Sequence, residues 1–186
     1  MVRALFVGRF QPFHMGHLKA LQHILKENDE VVIIVGSSQI SHEKRNPFTT
    51  GERIEMIRRA LREAGVEPDR YIIIPVPDVE AHSTWVSQVE SYTPRFDVVY
   101  TNEPLTARLF KEAGYEVRPI PFFDREVYSA TEIRRRILAG EEWSSLVPRS
   151  VYEFIKEIGG DERIRDLNKT DKVVRGGGQG LRGAQD

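Results

Sequence analysis

Residues 5–26 read LFVGRFQPFHMGHLKALQHILK, and this stretch passes from a predicted strand into a predicted helix. Its first residues are apolar up to Gly8, and from Leu18 onward apolar residues recur at helical spacing. Two histidines, His14 and His17, lie between these segments, although the whole chain contains only five. The sequence therefore concentrates ionisable side chains at one strand-to-helix junction.

The rest of the chain repeats this alternation of strand and helix. Residues 31–35 read VVIIV, a β-branched run typical of a central parallel strand. Thr49 and Ser129 are each followed three residues later by a glutamate, a spacing that predicts two helix N-termini with capping boxes. Five strands are predicted, at Arg3–Val7, Val31–Val35, Tyr71–Ile74, Asp97–Tyr100 and Tyr115–Ile120. The last predicted helix covers about 150–158.

This pattern predicts an α/β fold, a doubly wound, Rossmann-like parallel sheet of about five strands with helices on both faces. A chain of 186 residues that are 40% hydrophobic can form one core of ordinary size. We expect one domain at residues 1–167 and a disordered glycine-rich tail at 168–186, which ends in VRGGGQGLRGAQD. Arginines in the tail could contact RNA, but its composition favours a solvated segment.

Composition also limits the classes of function. The chain has no cysteine, which excludes disulfides, thiolate catalysis and cysteine-ligated zinc. Its formal net charge of −1 gives no indication of a nucleic acid or an anionic membrane as partner. The sequence shows no signal-peptide pattern and no apolar run of about 18 residues. We therefore expect a cytoplasmic protein that binds neither nucleic acid nor membrane.

In a doubly wound sheet, ligands bind beyond the carboxyl ends of the strands, where the loop after the first strand lies. We expect Gly8 to let this loop turn closely and Gly16 to lie where the helix begins. The helix N-terminus offers unpaired N–H groups, and Arg9 adds a guanidinium suited to phosphate. His14 and His17 can share one face of the first turn. The simplest ligand for this set is a polyphosphate.

The same stretch has other interpretations. A histidine pair three residues apart could bind a metal ion, although the stretch contains no acidic residue and a third ligand would have to come from elsewhere. Either histidine alone could be a structural residue. The glycines match neither the G-x-G-x-x-G dinucleotide pattern nor the Walker phosphate loop. The histidine pair together with Arg9 favours the polyphosphate.

Two motifs resemble those of the nucleotidyltransferase superfamily. Residues 14–17, HMGH, are similar to its H-x-G-H signature, and residues 129–134, SATEIR, are similar to its S-x-T-x-x-R motif. The motifs occur in the expected order, each at a predicted strand-to-helix junction. Either alone would be a weak to moderate indication, and together they are a strong one.

Three longer segments narrow the resemblance: GRFQPFHMGH at 8–17, GSSQISHEKRNPFTTGERIEMI at 36–57 and IPVPDVEAHSTWV at 74–86. They are similar to the archaeal nicotinamide-nucleotide adenylyltransferases, over roughly residues 2–167. This resemblance implies transfer of the adenylyl group of ATP to the 5′-phosphate of nicotinamide mononucleotide (NMN), which gives NAD and pyrophosphate. It also implies Mg²⁺ carried on the ATP phosphates, and a homo-oligomer like the hexameric archaeal relatives.

The resemblance also implies roles for individual residues. The catalytic residues that it implies are His17, His14, Arg134 and Arg9, with His17 at the α-phosphate. The residues implied to bind ATP or its phosphates are Gly8, Phe10, Gln11, Gly16, Ser129 and Thr131. Those implied to bind NMN are Ser37, Ser38, Arg45, Asp78 and Trp85. No metal ligand is implied.

Some of these roles have alternatives. Trp85 could stack on the nicotinamide ring or be a core tryptophan, and His82 stands where the archaeal enzymes have an asparagine. Asn102, after the fourth predicted strand, could contact adenine or ribose. A nucleotide-binding regulator could also use this fold. The chain has no added helix-turn-helix segment or basic domain, and it retains both motifs, which favours the enzyme.

Overall fold

Five parallel strands form one sheet in the order β3-β2-β1-β4-β5 in the computed structural model, which describes residues 1–121 and 126–169. The strands are β1 (Arg3–Gly8), β2 (Glu30–Val35), β3 (Tyr71–Pro75), β4 (Val98–Tyr100) and β5 (Glu116–Arg118). The helices are α1 (Met15–Glu27), α2 (Thr50–Glu63), α3 (Trp85–Tyr92), α4 (Pro104–Glu112), α5 (Ala130–Ala139), α6 (Arg149–Glu157) and α7 (Gly160–Leu167). The predicted fold class is confirmed. Most of the predicted tail, residues 170–186, lies outside the described residues.

Alternate residues of β1 to β4 pack into two cores, one on each face of the sheet. On β1, Ala4 and Phe6 belong to one core and Leu5 belongs to the other. The first core also contains residues of α1, α2, α5, α6 and α7, and the second contains residues of α3 and α4. Every residue of β2 is buried, as its apolar run predicts. Among the described helices, none is long and apolar enough to span a membrane.

The order of the strands creates a crevice beside β1. Strands β2 and β3 lie on one side of β1, whereas β4 and β5 lie on the other. The loops after β1 and β4 therefore leave the carboxyl edge of the sheet in opposite directions. The N-termini of α1 and α5 border the space between them.

The two predicted capping boxes have different outcomes. At α2, Thr49 accepts a hydrogen bond from the N–H of Glu52, and the Glu52 carboxylate accepts one from the N–H of Thr49, so this prediction is confirmed. At α5, Ser129 accepts from the N–H of Glu132, but the Glu132 carboxylate pairs instead with Arg135 and Arg136. The second box is therefore only half formed, because two arginines compete for the carboxylate.

Helix α7 fastens the loop before α2 to the body of the protein. The sequence did not predict this helix, since its residues, GDERIRDL, include only two apolar side chains. Arg163 makes two hydrogen bonds to the Glu52 carboxylate, at 2.6 and 2.8 Å, and one to the carbonyl of Pro47, at 3.1 Å. Through these contacts, α7 holds in place the loop that contains Arg45.

Replacing Arg163 by methionine should therefore destabilise the protein. The change removes a bidentate, partly buried ion pair, and we expect the free energy of unfolding to fall by about 1–3 kcal/mol. Arg149→Met is the matched control, because Arg149 pairs with Glu153 on the surface, where such pairs contribute about 0–1 kcal/mol. Thermal unfolding of both variants measures the difference, and equal losses would contradict the fastening role of α7.

Candidate active site

A cavity of about 420 Å³ opens at the carboxyl edge of the sheet. The ends of β1, β4 and β5, the N-termini of α1 and α5, and the loop before α2 form its walls. The described residues that line it with polar side chains are Arg9, Gln11, His14, His17, Arg45, Thr101, Asn102, Glu103, Tyr128, Ser129, Thr131 and Arg134. The structure thus brings the two motifs together at one site, although they are far apart in the sequence.

Two histidines cap helix α1. The Nδ1 atom of His14 accepts hydrogen bonds from the N–H groups of Gly16, at 3.0 Å, and His17, at 3.4 Å. In return, Nδ1 of His17 accepts from the N–H of His14, at 3.1 Å. The imidazole rings stack with their centroids 3.6 Å apart. The two side chains therefore do the work of the serine and glutamate in an ordinary capping box.

This capping determines which ring nitrogen carries the proton. A backbone N–H can only donate, so each Nδ1 must be the acceptor and each proton must lie on Nε2. Neither Nε2–H group of His14 and His17 donates to another of the described residues. Because both rings line the cavity, both Nε2–H groups are available to a ligand there.

Both rings also resist protonation. Burial lowers the pKa of His14 to about 4. Burial and the neighbouring charge of His14 lower the pKa of His17 well below its usual value. A proton on Nδ1 would in addition displace the N–H groups that donate to it. In the free protein near neutral pH, the site therefore presents two neutral imidazole donors.

Two glycines leave room for this arrangement. A Cβ on Gly16 would lie 2.8 Å from Cε1 of His14 and 3.3 Å from the Cβ of Tyr128. Only glycine therefore lets the His14 ring fold over the helix N-terminus. A Cβ on Gly8 would lie 2.7 Å from Cζ of Phe10. Gly8 was expected to allow a close turn, but the structure shows that it makes room for the buried ring of Phe10, which lies 4.7 Å from the ring of His17.

Three arginines converge on the same cavity from three parts of the chain. Arg9 follows β1, Arg45 lies in the loop before α2, and Arg134 lies in α5, where it donates to the carbonyl of Gln11 at 2.9 Å. Burial and the charges of Arg9 and Arg45 lower the pKa of Arg134. None of the three pairs with a carboxylate among the described residues. Close, unneutralised guanidinium groups of this kind form a binding site for a multiply charged anion.

Comparisons with known proteins identify the family. A model of the Cytidylyltransferase-like family matches residues 5–136. A relative from Pyrococcus horikoshii, named nicotinamide-nucleotide adenylyltransferase, is 58% identical over 167 residues, which cover 90% of this chain and 89% of the relative. The chain belongs to the nicotinamide-nucleotide adenylyltransferase family. A relative of the same name from Saccharolobus solfataricus is 51% identical over 92% of this chain and 100% of that protein.

A solved structure with lower sequence identity to this chain has the same fold. It is the bifunctional NMN adenylyltransferase/ADP ribose pyrophosphatase from Francisella tularensis, complexed with AMP and a Mn ion. The TM-score is 0.74 at 23% sequence identity, and the match covers 89% of this chain and 51% of that one. The chain thus spans about half the length of that protein, and at this identity the likeness is one of fold.

In this member of the nicotinamide-nucleotide adenylyltransferase family, some residues predicted to bind phosphate form hydrogen bonds within the protein. The Gln11 amide donates to the carbonyl of Phe48 at 3.1 Å and accepts from its N–H at 2.8 Å, with only 2% of Gln11 exposed. It ties the loop after β1 to the loop before α2. Ser129 caps α5, and Thr131 is exposed on the cavity wall. The phosphate contacts of these residues stay predictions.

The residues predicted to bind NMN are divided between two places. Arg45 lines the cavity, whereas Ser37, Ser38, Asp78 and Trp85 lie beyond the ends of β2 and β3. There the Asp78 carboxylate accepts hydrogen bonds from Ser37 and Gln39, each at 2.9 Å. Trp85 begins α3 and packs, partly buried, against the second core. Its burial fits both of its predicted alternatives.

The sequence analysis assigned no role to several residues in or beside the site. Asn46 accepts from Arg9 at 3.5 Å, and Gln39 holds Asp78. Tyr128, immediately before the second motif, packs close to Gly16 and could have been suspected from that position. Arg53 donates to carbonyls in the loops after β1 and β2, although its position in an arginine-rich helix gives no sign of this.

The capping role of His14 predicts how stability depends on pH. Because its pKa is about 4 in the folded protein and about 6.5 when unfolded, the unfolded chain binds more protons as the pH falls, and stability is lost between these two values. His14→Asn keeps a capping acceptor that does not titrate. From pH 7 to 5 the variant should lose about 2 kcal/mol less unfolding free energy than the wild type. Urea titrations at both pH values measure this difference. Equal losses of unfolding free energy in the variant and the wild type would contradict the capping role of His14.

Proposed function

We propose that this chain transfers the adenylyl group of ATP to the 5′-phosphate of nicotinamide mononucleotide, producing NAD and pyrophosphate. The observation that carries the proposal is the convergence of two neutral imidazole donors and three arginines on the N-terminus of α1. The high identity to relatives named nicotinamide-nucleotide adenylyltransferase supports this choice of substrates.

The reaction explains why the cavity is rich in donors and cations. The phosphate of NMN is already an anionic nucleophile near neutral pH, so no strong general base is required. Its oxygen attacks the α-phosphorus of ATP in line, and the bond to the bridging oxygen of pyrophosphate breaks. The main obstacles are the repulsion between two anions and the charge that develops on the leaving group. Catalysis therefore depends on positioning and on electrostatic stabilisation.

The geometry supports a role for each group. Nε2–H of His17 donates to the α-phosphate, where charge changes during the reaction, and the stacked His14 donates to a neighbouring phosphate while it caps α1. Arg9 and Arg45 neutralise the substrates' phosphates. Arg134, held by the carbonyl of Gln11, neutralises the departing pyrophosphate. The first turn of α5 supplies further N–H donors for it.

Mg²⁺ enters this proposal as part of the ATP complex. The carboxylate that lines the described part of the cavity belongs to Glu103, and it already accepts from the N–H groups of Leu105 and Thr106. Phosphate oxygens and water, which Mg²⁺ commonly retains, can supply the ligands of the ion. The ion would neutralise charge on the phosphates. A homo-oligomeric state, for which the sequence resemblance implies a hexamer, and a cytoplasmic location complete the proposal.

A substrate panel tests the proposed function. Purified protein is incubated with ATP, Mg²⁺ and one of four acceptors, namely NMN, nicotinate mononucleotide, phosphopantetheine or FMN, and pyrophosphate release and dinucleotide formation are measured. We expect turnover with NMN and none with phosphopantetheine or FMN. Binding of nucleotides without turnover of any acceptor would contradict the proposal and favour a regulator.

His17→Ala should lower kcat by about 10²–10³ while the KM for ATP changes little, since loss of one donor to the transition state typically has an effect of this size. His23→Ala is the matched control, because His23 lies on the same helix and contacts Glu27 and Tyr100 instead of the cavity. Steady-state kinetics compare the two variants. An unchanged kcat in His17→Ala would refute the role of His17.

Trp85→Ala should raise the KM for NMN about ten-fold and leave the KM for ATP unchanged, if the indole stacks on the nicotinamide ring. Trp85→Phe retains an aromatic face, so its KM for NMN should rise less. A purely structural tryptophan predicts a lower melting temperature with no effect specific to NMN. Kinetics and melting curves for both variants decide between these outcomes.

A further inference from the structure

The side chain of Arg53, in the first turn of α2, is completely buried. Its guanidinium donates to backbone carbonyls from three different segments of the chain and to one hydroxyl. The acceptors are the carbonyls of Arg9 at 3.0 Å, Gly36 at 2.8 Å, Ser37 at 3.1 Å, Ile40 at 3.3 Å and Thr49 at 3.3 Å, and the hydroxyl of Thr50 at 3.3 Å. One side chain thus connects the loop after β1, the loop after β2 and the N-terminus of α2.

This arginine is unusual because no carboxylate pairs with it among the described residues. Burial and the charge of Arg9 lower its pKa to about 10, whereas the more distant charge of Asp78 raises it. Arg53 therefore stays charged near neutral pH and is solvated by carbonyl dipoles. A buried charge is costly, and an apolar side chain of similar size would often serve stability as well. A role beyond stability would explain why a cation is placed here.

Two of the carbonyls that Arg53 binds belong to residues of the predicted substrate sites, Arg9 and Ser37. The side chain of Arg9 lines the cavity, and the backbone carbonyl of Arg9 accepts a hydrogen bond from Arg53. Ser37 has a positive φ of 47°, a backbone conformation that residues with a side chain adopt uncommonly and at a cost in energy. Arg53 binds its carbonyl, while its hydroxyl donates to Asp78.

We propose that Arg53 is a positioning residue for adenylyl transfer: it holds the Arg9 loop and the Ser37 loop at a fixed separation, so that the phosphates of the two substrates meet in line. This inference rests on the proposed function. Loops that shift by about 1 Å can reduce the rate of such a reaction about 10²-fold. The grip requires the planar fork of a guanidinium, since an ammonium group has three donors and cannot span this set of carbonyls.

The chain offers a matched control in Arg70. Its guanidinium also donates to three backbone carbonyls, those of Leu25, Asn28 and Asp29, at 2.7, 3.0 and 2.7 Å. These carbonyls lie at the end of α1 and just before β2, at the opposite edge of the sheet from the cavity. Arg70→Gln therefore removes the same kind of contact without touching the site.

The test compares Arg53→Lys, Arg53→Gln and Arg70→Gln with the wild type, assayed at 20 °C on folded protein. We expect both Arg53 variants to lose at least 30-fold in kcat with NMN and ATP, and to bind ATP several-fold more weakly by calorimetry. Arg70→Gln should melt at a lower temperature and keep kcat, both KM values and ATP affinity within two-fold. The calorimetric measurement tests Arg53 even where turnover is absent, and a wild type without turnover counts against the proposed function alone.

A double-mutant cycle with Arg9→Ala tests how Arg53 acts. If Arg53 works through Arg9, adding Arg53→Lys to Arg9→Ala should reduce kcat much less than it does in the wild type. Three results would overturn the proposal: fully additive losses, a lower melting temperature with unchanged kcat and ATP affinity, or Arg53 variants that do not fold at 20 °C while Arg70→Gln does.

Discussion

The hydrogen bonds that cap α1 with His14 and His17 determine much of what this site can do. They occupy both Nδ1 atoms, so both protons lie on Nε2, and they stack the rings at the helix N-terminus. Gly16 has to be a glycine for the His14 ring to fit, and the Phe10 ring packs edge-on against the His17 ring. One local interaction thus caps the N-terminus of a helix and supplies two oriented donors for phosphate.

A second constraint is the set of buried side chains that hold the loops around the site. The sheet places the loops after β1 and β2 at one edge, but the strands alone do not fix the position of one loop relative to the other. Buried side chains do this: Gln11 joins the first loop to Phe48, and Arg53 joins it to the loop after β2. From outside, Arg163 of α7 holds the capping residue Glu52. Stability and the geometry needed for function are therefore coupled through the same loops.

The sequence predicted those features that depend on local pattern. The β-branched run of β2, the apolar spacing in α1 and the two motifs led to the correct fold class and to a cavity lined by His14, His17 and Arg134. Features that depend on distant partners were missed or only half correct. In the sequence, nothing distinguishes Arg53 from a surface arginine, because the carbonyls around it come from other loops. Glu132 has the spacing of a capping residue, but the sequence does not show that Arg135 and Arg136 compete for its carboxylate. Helix α7 is too polar to be recognised without its contact to Glu52.

The proposed chemistry depends on two neutral imidazoles that present Nε2–H donors at the N-terminus of α1. Long-range proton–nitrogen NMR spectra of protein labelled with ¹⁵N-histidine test it most directly, with His14→Asn and His17→Asn used to assign the signals. At pH 7 and without substrate, both rings should give the signals of the neutral Nε2–H tautomer. A neutral Nδ1–H tautomer or an imidazolium at either residue would contradict the account.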